Sequence, residues 1–402
     1  GTNPAAASED TIWWTVGENS QARLESEINF NDAPLGSGVT ADSGGGSRAL
    51  GDFFFECNNA EDSTSSITYI KTGNKISGLT LAAGERYLIM YDASLGGTNA
   101  ARIAYNRVMF GTTALSEVIY EPAGAYRPWS ATGGGASGFC VVTGTGAAAD
   151  SLYMQHRTSQ AGAKCYTGGR CLIAVGLGNL TRNTHYWDTC LINSSFGVSG
   201  DDTSFVILQD SYALPTDTFI ILASARGGST GLTDDFGFQL LINGNTSKAG
   251  NGTWSTFYEW EDAQDVQSWS YAKCTTLTSG THTFKIQVHN YSGTGSSITY
   301  DPRIIVIKAS TYDQVKYVTS EILDTTTVAY STWENHVPYT GSSFAGVNFV
   351  PNNNEPVLVI ANSWMTSGYR ATEAAGLLRI RNDNTEVVFS DVSSHSPRAN
   401  AA

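Results

Sequence analysis

The stretch Phe284-Lys-Ile-Gln-Val288 puts Phe284, Ile286 and Val288 on one side of an extended chain and Lys285 and Gln287 on the other. A period of two is the mark of a strand with one buried face. The same alternation runs through Ala22–Phe30, where Leu24, Ile28 and Phe30 oppose Arg23, Glu25, Glu27 and Asn29. Elsewhere the apolar residues form short solid runs: Tyr87–Tyr91, Phe219–Ala223, Ile304–Ile307 and Val357–Ala361. These runs are too short for ordinary helices and are rich in branched and aromatic residues, so they read as buried strands. Glycine-, serine- and asparagine-rich stretches separate them, as at Gly96–Asn99, Gly133–Gly138, Gly227–Gly231 and Ser292–Ser297. Many short strands with no helical pattern between them predict an all-β protein of sandwich or jelly-roll type.

The composition agrees. Glycine supplies 42 of 402 residues and charged residues only 15%, against roughly 25% charged in an ordinary globular chain. The formal charge is −14, lysine and arginine total 23, and no basic cluster interrupts the chain. A groove that tracks nucleic-acid phosphates needs such a cluster, so a nucleic-acid partner is not expected. No apolar run approaches the ~20 residues of a membrane-spanning helix, and membrane insertion is not expected. Gly1 to Asp10 lack the basic and apolar regions of a secretion signal.

An internal repeat organises the middle of the chain. Cys190 follows Cys57 by 133 positions, Cys274 follows Cys140 by 134, and both His289 after His156 and Arg303 after Arg170 repeat the 133 spacing. The run Phe219-Ile-Ile-Leu-Ala follows Tyr87-Leu-Ile-Met-Tyr by 132. A third copy opens near residue 318: Val357-Leu-Val-Ile-Ala answers Phe219–Ala223, and Thr385-Glu-Val-Val-Phe answers Ser116-Glu-Val-Ile-Tyr. The expected organisation is an N-terminal arm (1–50), two β-sandwich repeats (51–183 and 184–317) and a partial third (318–402). The third copy ends before the counterparts of three strands. A sandwich short of strands leaves backbone groups unpaired and invites strand addition. The arm, with Trp13, Trp14, Leu24, Ile28 and Phe30 on its two candidate strands, is a candidate donor, from the same chain or a neighbouring copy; the alternatives are a chain that continues past Ala402 and an arm that packs independently.

Six cysteines permit 15 pairings. The repeat suggests one bridge inside each copy, Cys57 to Cys140 and Cys190 to Cys274. Cys165 and Cys171 flank a Tyr-Thr-Gly-Gly turn and make a third pair. Three bridges favour an oxidising, extracellular setting.

Chemistry is sparse. His156 and His289 recur in two copies and read as packing residues. Gly227-Gly-Ser-Thr-Gly231 matches a nucleophile-elbow pattern, but the residues after it do not read as the helix an elbow requires. Acidic pairs at Asp201-Asp202, Asp234-Asp235 and Glu261-Asp262 lack the spacing of a calcium loop. No metal site, cofactor or catalytic residue is expected. Trp187 and Trp333 fall in the opening strand of a copy and read as core anchors. Trp254, Trp260 and Trp269 cluster in the second copy and are the candidates for stacking on a sugar.

The series Phe219-Ile-Ile-Leu-Ala-Ser-Ala, Phe238-Gln-Leu-Leu-Ile-Asn-Gly, Ser279-Gly-Thr-His-Thr-Phe-Lys-Ile-Gln and Pro302-Arg-Ile-Ile-Val-Ile-Lys-Ala resembles the tandem β-sandwich modules of phage virion proteins. Head fibres, decoration proteins and tail-associated fibres carry such modules, and so do some secreted prokaryotic surface proteins. The resemblance spans roughly residues 51–402 and is one of pattern, with no diagnostic motif. It implies a non-enzymatic assembly protein on a virion surface or outside the cell, with copies of itself or other surface proteins as partners. The alternatives are a secreted filament or adhesin subunit and a carbohydrate-binding or glycan-active module with host glycans as partners.

Overall fold

The computed structural model describes residues 53–317 apart from connecting loops and scattered positions, and beyond 317 only Leu358, Ile360 and four short strand segments. The fold is all-β. The first repeat supplies β1 (Phe53–Asn58), β2 (Asp62–Thr64), β3 (Ile70–Ile76), β4 (Arg86–Gly97), β5 (Ala104–Phe110), β6 (Thr113–Tyr120), β7 (Gly135–Thr143), β8 (Leu152–Thr158) and β9 (Cys165–Gly176). One sheet runs β1-β9-β4-β7, with β2 also on β9, and the other runs β3-β8-β5-β6. The second repeat supplies β10 (Tyr186–Cys190), β11 (Ser195–Ser199), β12 (Thr203–Leu214), β13 (Asp217–Ser229), β14 (Phe236–Ile242), β15 (Asn245–Thr246), β16 (Ser255–Phe257), β17 (Gln267–Leu277), β18 (Gly280–Asn290) and β19 (Ser296–Lys308). Its sheets run β10-β19-β13-β17, with β11 on β19, and β12-β18-β14 with β15 and β16 on β14. Apart from the same-sheet neighbours β1 and β2, β5 and β6, β10 and β11, and β14 to β16, successive strands cross between the sheets, in the same order in both units, which is the jelly-roll path. One turn of 3-10 helix, Ala309–Thr311, closes the second. Four short strands follow, β20 (Ala375–Gly376), β21 (Ile380–Asn382), β22 (Thr385–Val388) and β23 (Ser394–His395).

Each sandwich encloses a core made by alternation. In the first, Tyr87, Ile89 and Tyr91 of β4 meet Val108, Leu152, Met154 and Leu172. In the second, Phe219, Ile221 and Ala223 of β13 meet Phe238, Leu240, Phe284, Ile286 and Val288. The 284–288 alternation therefore places its apolar side inward. Trp187 is in this core, edge-on to Phe219 at 5.9 Å.

The residues left over by that alternation build a third cluster. Leu88 and Met90 of β4, Phe139 and Val141 of β7, and Val175 of β9 meet Leu222 of β13 and Ile305 and Ile307 of β19. The central strands of the β1-β9-β4-β7 and β10-β19-β13-β17 sheets are apolar on both faces because each of these two sheets has its own sandwich core on one side and the other sandwich on the other. That is why they read as solid runs. The link from β9 to β10 is folded into this seam: Leu177 and Leu180 are buried there, and Leu177 N–H donates to the Arg86 carbonyl at 2.7 Å. Leu358 and Ile360 also pack on it.

Candidate functional site

The chemically richest region among the described residues is this seam. Strands β6 and β7 are edge strands of their two sheets, so some of their backbone groups lack a ladder partner. Side chains of the second sandwich satisfy them. The Ser224 hydroxyl sits against Phe139, donating to its carbonyl at 3.1 Å and facing its N–H at 3.3 Å. Val141 N–H donates to Cys190 Sγ at 3.4 Å. Arg303, only 2% exposed, reaches across from β19. Its Nη1 donates to the Tyr91 hydroxyl at 2.9 Å and to the Phe139 carbonyl at 3.5 Å, and its Nη2 donates to the Leu115 carbonyl. Arg226 of β13 donates to the Glu117 carbonyl and is held by Asp301 at 2.5 Å. Exposed sheet edges are sites of unwanted pairing, and here another unit of the same chain covers them.

A second group of charges pins the seam near the link. Asp188 of β10 is buried and accepts both guanidinium nitrogens of Arg86, at 2.9 and 2.6 Å. Arg182 adds a bond to the same carboxylate at 3.0 Å. A forked pair of this kind fixes orientation as well as distance. Ser137 and Ser270 meet across the seam with hydroxyl oxygens 3.0 Å apart.

The positions of these groups follow from one backbone device. The β4–β9 ladder slips between Asp92 and Ser94, and the β13–β19 ladder slips between Ser224 and Arg226. In both, the extra residue lies on the last strand of the unit, and a residue there has positive φ: Gly169 at 50° and Asp301 at 51°. These bulges sit 132 residues apart, so Cys171 is the counterpart of Arg303. In the first sandwich Cys57 lies opposite Cys171, and in the second Cys190 lies opposite Arg303.

This register revises the expected cysteine pairing. Cys57 is bonded to Cys171, not to Cys140. The Cys165–Cys171 and Cys190–Cys274 pairs are not formed, and Cys140, Cys165, Cys190 and Cys274 are thiols. The physical reason is parity. Cys140 lies in the core of the first sandwich, whereas Ala272 of β17, on the same face as Cys274, packs on the seam. The offset of 134 instead of 133 moves a side chain through the sheet. Burial pushes the Cys165 thiol up to about 12 and the Cys274 thiol up to about 11.

Parity separates the histidines too. His156 shares the inward face of Leu152 and Met154, is fully buried, and has Nδ1 3.0 Å from Thr167 Oγ1. It lies opposite Asn106, whose amide oxygen and nitrogen have no hydrogen-bond partner. Burial holds the imidazole below its usual pKa. His289 alternates with Val288 and faces outward, 2.9 Å from Ser204 Oγ. Arg170 faces inward beside His156 and pairs with Asp62 at 3.0 Å.

Trp269 is not a sugar platform. It is 4% exposed and stacked between Phe238 at 5.4 Å and Tyr271 at 6.2 Å. Trp254, Trp260 and Trp333 lie outside the described residues, as do Trp13, Trp14, Leu24, Ile28 and Phe30 of the arm. Ser229 ends β13 opposite Ser297 of β19. Among the described residues no group of three or more His, Cys, Asp or Glu side chains is placed to hold a metal ion. None of the described helices is long and apolar enough to cross a membrane.

The seam residues were hidden from sequence reasoning because Arg226, Arg303 and Asp301 look like ordinary strand and turn residues. The available signal was the doubly apolar central strands, which require a second covering layer.

No protein-family model matches the chain, and no curated protein matches it. Solved structures with a slight likeness include PNGase F, a glycosylasparaginase from Flavobacterium meningosepticum, at 11% identity and TM-score 0.30, covering 65% of this chain and 97% of that one. Infectious bursal disease virus, Gt strain, matches at 7% identity and TM-score 0.25, covering 72% and 78%. The VP2 subviral particle of infectious bursal disease virus matches at 7% identity and TM-score 0.23, covering 60% and 61%.

Proposed function

We propose that the chain is a non-enzymatic structural component, a decoration or fibre protein of a virion surface, built to assemble with copies of itself or with other surface proteins. The observation that supports this reading is the seam. The most elaborate buried polar network among the described residues joins one jelly roll to the next, and its groups are spent on backbone carbonyls and on each other. Such a network makes a rigid two-unit block, which is what a spacer or shell element requires. The acidic, weakly charged composition keeps such a block soluble and discourages nonspecific nucleic-acid contact.

The test is the size and shape of the purified full chain. Light scattering after size exclusion, with electron microscopy of the same fractions, is expected to show discrete multimers or filaments with a regular repeat. A monodisperse monomer at high concentration would overturn the reading, and turnover of a glycan substrate would replace it with the glycan-active alternative.

A further inference from the structure

The geometry points to a disulfide between Cys140 and Cys190 that covalently joins the two sandwiches. Cys140 is on β7, the edge strand that lies against the second unit, and Cys190 ends β10. Cys190 packs against both the core that contains Cys140 and the seam cluster. Its sulfur takes the N–H of Val141, the residue next to Cys140, and the two sulfurs lie close enough for each to shift the other's acidity.

The alternatives are closed off. Within its own sandwich Cys190 faces Arg303 on β19, where the first sandwich has Cys171. The bridge that Cys57 makes is therefore denied to Cys190, and the nearest thiol lies across the seam. Arg303 also provides the chemistry: the Cys140 thiol is held below its ordinary value by the neighbouring Cys190 and by the Arg303 charge, while Cys190 is pushed up by Cys140 and by burial, so the thiolate, which is the reactive species, is favoured on Cys140.

Closure needs an oxidant, and a small-molecule disulfide supplies it in two exchanges. The oxidant first exchanges with Cys190, the more exposed of the pair, forming a mixed disulfide and releasing one small thiol. The Cys140 thiolate then attacks Cys190 Sγ and expels the second. Two protein thiols lose two electrons and two protons, and the oxidant gains both as two small thiols. The chain thus has a reduced form, in which the sandwiches are held by packing and ion pairs, and an oxidised form in which they are linked.

The experiment is peptide mapping of the full chain after folding in a buffer of oxidised and reduced glutathione, with free thiols blocked before digestion. Trypsin places Cys57, Cys140, Cys171 and Cys190 on four separate peptides. The expected result is a linked Cys140–Cys190 peptide pair beside the Cys57–Cys171 pair, which serves as the internal reference. Cys190→Ser is expected to remove the first link and leave the second. Recovery of Cys140 and Cys190 as blocked thiols while Cys57–Cys171 is linked would overturn the inference, as would a Cys190–Cys274 link. The readout does not depend on assembly, so a linked chain that remains monomeric would sink the functional reading and leave this one standing.

Discussion

Gly138 of β7 lies opposite Tyr91 of β4, and a Cβ at Gly138 would stand 2.5 Å from the Tyr91 hydroxyl oxygen. The tyrosine ring therefore crosses the edge strand at a position without a side chain, and its hydroxyl meets Arg303 of the second sandwich. Gly138→Ala is expected to push the ring aside and cost about 1–3 kcal/mol, as overpacking does. Tyr91→Phe, which keeps the ring and removes only the hydroxyl, is expected to cost about 1 kcal/mol. Urea denaturation of both variants checks the order. A Gly138→Ala protein as stable as the parent would show that the ring does not need this passage.

Arg303 holds the carbonyls of Leu115 and Phe139 together with Tyr91. Arg303→Met fills similar volume but leaves those acceptors without a donor, and a loss of about 3 kcal/mol or more is expected. Arg303→Lys keeps the charge and loses the fork, so it is expected to recover only part of that loss. Exchange of the Phe139 and Val141 amide hydrogens is the local readout. It is expected to accelerate in Arg303→Met ahead of exchange in the β13 core.

His156 gives stability a pH dependence of known sign. Its folded pKa is lowered by burial and by Arg170, and raised in part by Asp62. The unfolded chain takes up a proton near ~6.5, before the folded one does. Stability therefore falls as pH drops below that value and levels off below the folded pKa, by at most about 1.4 kcal/mol per pH unit. Asp92 carries the opposite dependence, with its carboxyl pushed up to about 7 by burial. The readout is thus the difference between His156→Val and the parent. The melting temperature of the variant is expected to gain on the parent between about pH 7 and 5. Parallel curves for the two proteins would refute it.

Trp269 stacks between Phe238 and Tyr271. Trp269→Ala is expected to cost about 3–5 kcal/mol, as large aromatic truncations in cores do. Equilibrium unfolding measures it. A variant of unchanged stability would restore the exposed, ligand-facing reading of this residue.

The strands and their inward faces were legible because alternation is a local property. Phe284, Ile286 and Val288 show their face within five residues. The jelly-roll path was readable only as a class, since strand order depends on contacts far apart in sequence. Cysteine pairing was not legible. The spacing of 133 between Arg170 and Arg303 aligns two residues that face opposite sides of their sheets, because the bulges at Gly169 and Asp301 recur at 132. A one-residue error is negligible in a repeat search and decisive in a strand. Nor could sequence foresee that Trp269 would fill the second core. Its counterpart across from β4 is Ala136, opposite Ala93, just as Trp269 is opposite Ala225.

The capping of β6 and β7 by arginines from the neighbouring unit has a practical corollary for anyone who dissects this chain. A truncated fragment that ends before β10 would retain its own interior yet present bare carbonyls at Leu115, Glu117 and Phe139 together with a greasy outer wall of Leu88, Met90 and Val175. Such a fragment is a template for its own kind, so recombinant halves are expected to clump through a wall that the intact polypeptide keeps covered.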